Sequence, residues 1–123
     1  MRFLAFDTET TGLDKTKCNI LTAYFVVLDK NLNIIDSLDL KIKHSVYTVY
    51  AKALEINNID LVMHNKNEQS LYINDASKKL KEFLIKNKGK NRYIPLGHNI
   101  NFDIDFLKSS NLVDNEFFSK YIS

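Results

Sequence analysis

Two carboxylates stand two residues apart near the start of the chain, in the string Phe6-Asp7-Thr8-Glu9-Thr10-Thr11-Gly12-Leu13. An apolar run precedes them, and residues i and i+2 of a strand point to one face, roughly 6.5 Å apart. Two like charges so placed repel unless a cation neutralises them. A second acid lies far along the chain, in Gly97-His98-Asn99-Ile100-Asn101-Phe102-Asp103. Asp103 falls in the first turn of a predicted helix, where free N–H groups support an anion. If the strand before that helix lies beside the first strand, Asp103 approaches Asp7 and Glu9. Three carboxylates around one pocket form an all-oxygen site, suited to Mg²⁺ or Mn²⁺ and not to zinc.

The elements that must position these acids can be read from periodicity and punctuation. Arg2 to Thr8 reads as a short, nearly continuous apolar strand, of the kind covered on both faces. Ile20 to Leu28 is a second strand, Asp29-Lys30-Asn31 a polar break, and Leu32 to Ile42 a third strand. Val46 to Ile56 reads as a short helix closed near Asn57-Asn58, where Asn tolerates a left-handed cap. Asp60 to Tyr72 is ambiguous. Asn74 or Asp75 reads as the N-cap of a helix marked by Ala76, Leu80, Phe83 and Leu84 and ending near Lys88-Gly89. Arg92 to Gly97 is a fourth strand whose Pro95 suits an edge or an end. Asn101 to Leu107 is helical, Ser109-Ser110-Asn111 stops it, and Phe117-Phe118 begins a further element. Three strands, helices, a strand and a helix imply a mixed α/β fold with a partly antiparallel sheet.

Together the two acidic motifs resemble those of the DnaQ-like, DEDD superfamily of 3′→5′ exonucleases. The first string matches that family's first exonuclease motif, and Gly97 to Leu107 matches its second. Ala53 to Ile59 is similar to the helix and turn between them, with Asn58 where glycine is common. The resemblance implies an α/β, RNase H-like mixed sheet: a three-stranded antiparallel meander plus a parallel strand, with flanking helices. It also implies hydrolysis of terminal phosphodiesters at single-stranded 3′ ends of DNA or RNA, by two Mg²⁺ or Mn²⁺ ions per site. In that picture Asp7, Glu9 and Asp103 are both metal ligands and catalytic residues. Asp7 bridges the metals, Glu9 holds the water-activating ion, and Asp103 holds the second. Thr8, Thr10, Leu13, Asn99 and Phe102 form the substrate-binding set, with Leu13 wedged against the terminal base.

The family's third motif, a fourth Asp preceded by a His or Tyr base, has no match after Asp103. Asp105 is about 200° around the helix from Asp103, and Asp114 and Glu116 lack the preceding base. The expectation is therefore a single, incomplete exonuclease domain over 1–123, missing the C-terminal part of the fold, with an uncovered sheet edge or face. Such a chain is inactive or nearly so alone. It works with a DNA polymerase or a polypeptide supplying the missing motif, or serves as a catalytically silent nucleic-acid-binding or polymerase-associated module.

Composition narrows the setting. With 45% apolar and 11% aromatic residues the chain is not disordered. Its single cysteine, Cys18, excludes an internal disulfide, and the expected setting is cytoplasmic, with no membrane partner. Cys18 reads as an inert buried thiol, and His44 and His64 as surface or loop residues. His98 reads as structural. The net charge of +2 says little about partners. The lysines from Lys78 to Lys90 read first as a solvated helix face, and second as a phosphate-contacting surface.

Overall fold

β1 (Phe3–Thr10) lies inside the sheet, bonded on both sides. Its alternation decides where the acids go. Leu4, Phe6, Thr8 and Thr10 are buried, whereas Asp7 is exposed and Glu9 half-buried on the other face. The computed structural model describes residues 1–123. β2 (Ile20–Leu28) runs antiparallel to β1, and β3 (Ile34–Ile42) antiparallel to β2, forming the expected meander. β4 (Ser70–Leu71) adds two residues parallel to β3, and β5 (Ile94–Leu96) pairs parallel with β1. The order β4-β3-β2-β1-β5 puts Pro95 on an edge, where its missing N–H costs least.

Five helices complete the chain: α1 (Ala51–Asn57), α2 (Leu61–Lys66), α3 (Ile73–Asn87), α4 (Ile100–Ser109) and α5 (Asn115–Tyr121). α3 buries Ala76, Leu80, Phe83, Leu84 and Asn87, one stripe of a 3.6-residue repeat. That stripe joins Leu4, Phe6, Phe25, Val27, Leu40 and Ile42 from the sheet, with Phe106 and Leu107 of α4, in one core. The buried Tyr93 hydroxyl donates to the Leu84 carbonyl at 2.6 Å, and burial pushes its pKa up to about 12. No helix is long and apolar enough to cross a membrane.

Some boundaries differ from the sequence reading. α1 starts at Ala51, not Val46. The run Val46-Tyr47-Thr48-Val49 is β-branched and aromatic, and its backbone bonds elsewhere: Asn19 Oδ1 accepts from the Thr48 N–H at 2.8 Å. α3 starts at Ile73, so Asn74 and Asp75 lie inside the first turn, where Asp75 complements the helix dipole. Its N-cap is Tyr72, without a side-chain bond. The ambiguous stretch holds α2, capped by Asp60, and then β4. Asn58 is left-handed after α1, as expected.

The sheet is open at one edge and on one face. Beyond β4, which meets only Lys41 and Ile42, the outer side of β3 has no strand. Asp36 guards that edge, accepting from Asn87 Nδ2 at 2.9 Å and pairing with Lys86 at 3.6 Å. On the open face, Asp7, Tyr24 and Asp39 form one cross-strand row.

The two faces predict unequal losses at neighbouring positions. Phe25→Ala should lower the unfolding free energy by about 3–5 kcal/mol. Tyr24→Ala, on the open face, should cost about 1 kcal/mol or less. Urea melts of both variants check this, and comparable losses would contradict the assignment of faces.

Candidate active site

The site is built around the last turns of β1. Glu9 lies opposite Thr22, and the pairing shifts register between Glu9 and Thr10. Past that irregularity the backbone is laced to the segment that leads into α1. Thr10 O accepts from Asn57 Nδ2 at 3.0 Å, and Thr11 O accepts from the Tyr50 N–H at 2.8 Å. The Thr11 hydroxyl donates to the Thr48 carbonyl. Gly12 is dictated by space: a Cβ there would sit 2.4 Å from Tyr50 Cδ2 and 2.7 Å from Cys18 Sγ.

This lacing explains why α1 stays in place although it buries no residue. It also creates an apolar cavity. Gly12, Leu13, Tyr50, Ala53 and Ile56, with Asp14 and Lys52, line a cavity of about 580 Å³ past the end of β1. Leu13 is 84% exposed there, so it is no part of the core. Asn57 also lies against the Glu9 carboxylate and lowers its proton affinity.

Asp103 arrives from the other side of β1. Gly97 brings the chain over the strand, since a Cβ there would lie 3.2 Å from the Phe6 carbonyl. Asn99 takes a left-handed conformation and α4 begins at Ile100. Asp103, in its first turn and 3% exposed, accepts from the Thr8 hydroxyl at 2.5 Å. Asp105 points outward and pairs with Lys15 at 3.3 Å, as its 200° offset predicts. That half-exposed pair contributes little stability.

The electrostatics record how close the acids are. Glu9 is raised above its ordinary pKa by burial, then by Asp7 and Asp103. Asp103 is raised by burial, partly offset by the Thr8 bond, and further by Asp7. The donors are all oxygen and mutually repelling, which suits a hard divalent ion in kind. Their placement fits less completely. Asp7 and Glu9 share the open face, but Asp103 is turned to Thr8 on the core side. No three His, Cys, Asp or Glu side chains are grouped to hold a metal ion.

The remaining expected residues divide by the same alternation. Thr8 and Thr10 are buried on the core face with their hydroxyls engaged, Thr8 on Asp103 and Thr10 on the Gly12 carbonyl at 2.6 Å. Their side chains are therefore turned away from Asp7 and Glu9. Asn99 is exposed, and Phe102 is half-buried against Phe106, with ring centroids 4.9 Å apart. His98 is exposed rather than structural. His64 is buried, not superficial, with Nε2 2.6 Å from the Ile42 carbonyl. His44 lies 2.6 Å from the Ile20 carbonyl, and burial lowers its pKa. Cys18 is half-buried against the core. Tyr50 and Tyr24 carry no functional signal in the sequence, and Asn57 is marked there only as a helix end and by the likeness of Ala53 to Ile59 to a family segment.

The mixed five-stranded sheet with its flanking helices matches the RNase H-like fold of known exonucleases. Among solved structures, the chain is similar to Exonuclease I of Methylocaldum szegediense, with a TM-score of 0.69 and 21% identity over 85% of this chain and 22% of that one. It is likewise similar to E. coli Exonuclease I in complex with a dT13 oligonucleotide, with a TM-score of 0.72 and 17% identity over 90% of this chain and 23% of that one. The chain thus spans less than a quarter of the length of either, and at such identities the likeness is one of fold. No model of a known protein family matches the sequence. No curated protein matches it either.

The raised carboxyls set a pH dependence. A folded pKa above the unfolded one means that stability falls as pH rises from the unfolded value through the folded one. Asp103→Asn keeps an acceptor for Thr8 and removes the charge. The variant should be more stable than the parent at neutral pH, and the gain should vanish near the unfolded aspartate value of 3.8. Urea midpoints at the two pH values check it. A gain independent of pH would mean that charge is not its cause.

Proposed function

We propose that this chain is the acidic core of a nuclease of the 3′→5′ exonuclease type. Its substrate is the 3′ end of single-stranded DNA or RNA, and its reaction is hydrolysis of the terminal phosphodiester. The observation that carries this reading is that Asp7, Glu9 and Asp103 are near enough at the end of β1 for Asp7 to raise the proton affinity of the other two, on an exonuclease-like fold. Asp7 and Glu9 would hold Mg²⁺ or Mn²⁺, with Asp103 as the third acid for a pair of ions. Bound there, the ions supply an activated water and neutralise charge on the leaving oxygen.

The chain's own residues do the rest. Leu13, Tyr50 and Ile56 offer an apolar wall of a kind that accepts any base by its face. Asn57 ties α1 to Glu9 and so couples that wall to the acid. Thr8 holds the Asp103 carboxylate beside β1. No His or Tyr is assigned as general base, a role typically worth about 10²–10⁴-fold in rate, so the chain alone is expected to turn over barely or not at all.

A catalytically silent nucleic-acid-binding module is the second reading. It is favoured by one observation: Asp103 is committed to Thr8, and no three acids are grouped for a metal.

Thermal melts with Mn²⁺ separate the two. On the nuclease reading, Mn²⁺ at about 100 times its Kd adds about 2.7 kcal/mol of stability, and Asp7→Ala abolishes the effect. Release of mononucleotides from 3′-labelled strands, even at a trace rate, should follow the same dependence. Strand binding indifferent to both Mn²⁺ and Asp7 would sink the nuclease reading in favour of the silent module.

A further inference from the structure

At the opposite end of β1 the charge is reversed. Lys88, Lys90 and Arg92 lie between α3 and β5, and with Met1, Asn91, Ile94 and Ser123 they line a depression of about 470 Å³. None of the three has an acidic partner. The ion pairs of the molecule are Lys15–Asp105, Lys81–Asp114 and Lys86–Asp36. The free cations are nevertheless ordered. Arg92 donates to the Ser119 carbonyl at 3.1 Å, and Lys88 reaches the Gly89 carbonyl at 3.4 Å. A fourth cation is fixed beside them: Arg2 packs over Gly89 and donates to the Asn87 carbonyl.

Strand register relates this cluster to the acids. Ile94, on the rim of the depression, is the direct partner of Phe3 on β1. Phe3, Ala5, Asp7 and Glu9 share one face by two-residue alternation. From Phe3 to Asp7 and Glu9 is four to six residues, about 13–20 Å at roughly 3.3 Å per residue. The cation cluster therefore borders the start of β1, beside a half-buried Phe3, and the carboxylates stand at its other end. A strand whose end lies at Asp7 and Glu9 has its phosphates within reach of the cations at up to about six stacked nucleotides, taken at about 3.4 Å each.

We propose that Lys88, Lys90 and Arg92 form a second contact for single-stranded nucleic acid, gripping phosphates upstream of the end held at the carboxylates. The polarity of the strand rests on the nuclease reading, whereas the contact itself does not. Each cation that neutralises a phosphate releases counterions and adds about 0.7 to the salt slope of single-strand binding.

Fluorescence anisotropy at a fixed Mn²⁺ concentration tests it, with DNA and RNA strands of about twelve nucleotides and with a dinucleotide. The Lys88→Gln/Lys90→Gln/Arg92→Gln variant should bind the long strands about tenfold or more weakly near 0.1 M salt, with the log–log slope reduced by about 2. Lys90→Gln alone, at an exposed site, should reduce the slope by about 0.7. Binding of the dinucleotide should be unchanged, because it is too short to span both ends. Equal weakening for DNA and RNA marks a phosphate contact, and weakening confined to one marks a preference within it. Unchanged slopes on strands that do bind would overturn the contact and leave the Mn²⁺ result at Asp7 standing. Absence of strand binding, or equal weakening of the dinucleotide, would also overturn it.

Discussion

A strand bonded on both sides cannot slip by one residue without turning itself inside out, and this constraint on β1 governs the molecule. In its observed register Leu4 and Phe6 enter the core while Asp7 faces water. The shifted register would bury Asp7 and Glu9, and an unpaired buried carboxylate is far costlier than an exposed leucine. The hydrophobic effect thus places the acids: the apolar residues choose the face, and the carboxylates receive the other one. Thr8, which must follow the core face, is then placed to donate to Asp103 as α4 begins.

Much of this order is legible in the sequence because it is local. The bounds of β2, the left-handed Asn58 and the outward turn of Asp105 follow from composition, cap chemistry and the helical repeat. What was not legible depends on partners distant in the chain. Val46 to Tyr50 has a helix-like apolar content, but Thr11 and Asn19 claim its backbone. The burial of His64 is set by the Ile42 carbonyl. Asn57 meets Thr10 across 47 positions, and no local pattern announces it. The acid pair could be read at sight, but its third member's attachment to Thr8 could not.

The two walls of the site are held by different forces. α4 brings Phe106 and Leu107 into the core, so Asp103 rides on a helix anchored by apolar burial. α1 has no such anchor and depends on hydrogen bonds to the end of β1. Each such bond is worth a net ~1 kcal/mol, and elements of this kind occupy the low end of local stability. The apolar wall formed by Tyr50 and Ile56 is accordingly the more easily opened of the two.

Four residues of the chain adopt a left-handed conformation, and none is glycine: Leu32, Asn58, Asn99 and Asn111. Three of these are asparagines that begin or end helices, Asn99 at the entry of α4, Asn58 at the exit of α1 and Asn111 just past α4, the first two beside the acids. Glycine would take the same angles without steric cost, but it leaves the unfolded chain more states to lose. Asparagine accepts a small native penalty and begins from a narrower denatured ensemble. The sharp reversals that frame the acids are therefore stabilised partly by what the unfolded chain is prevented from doing.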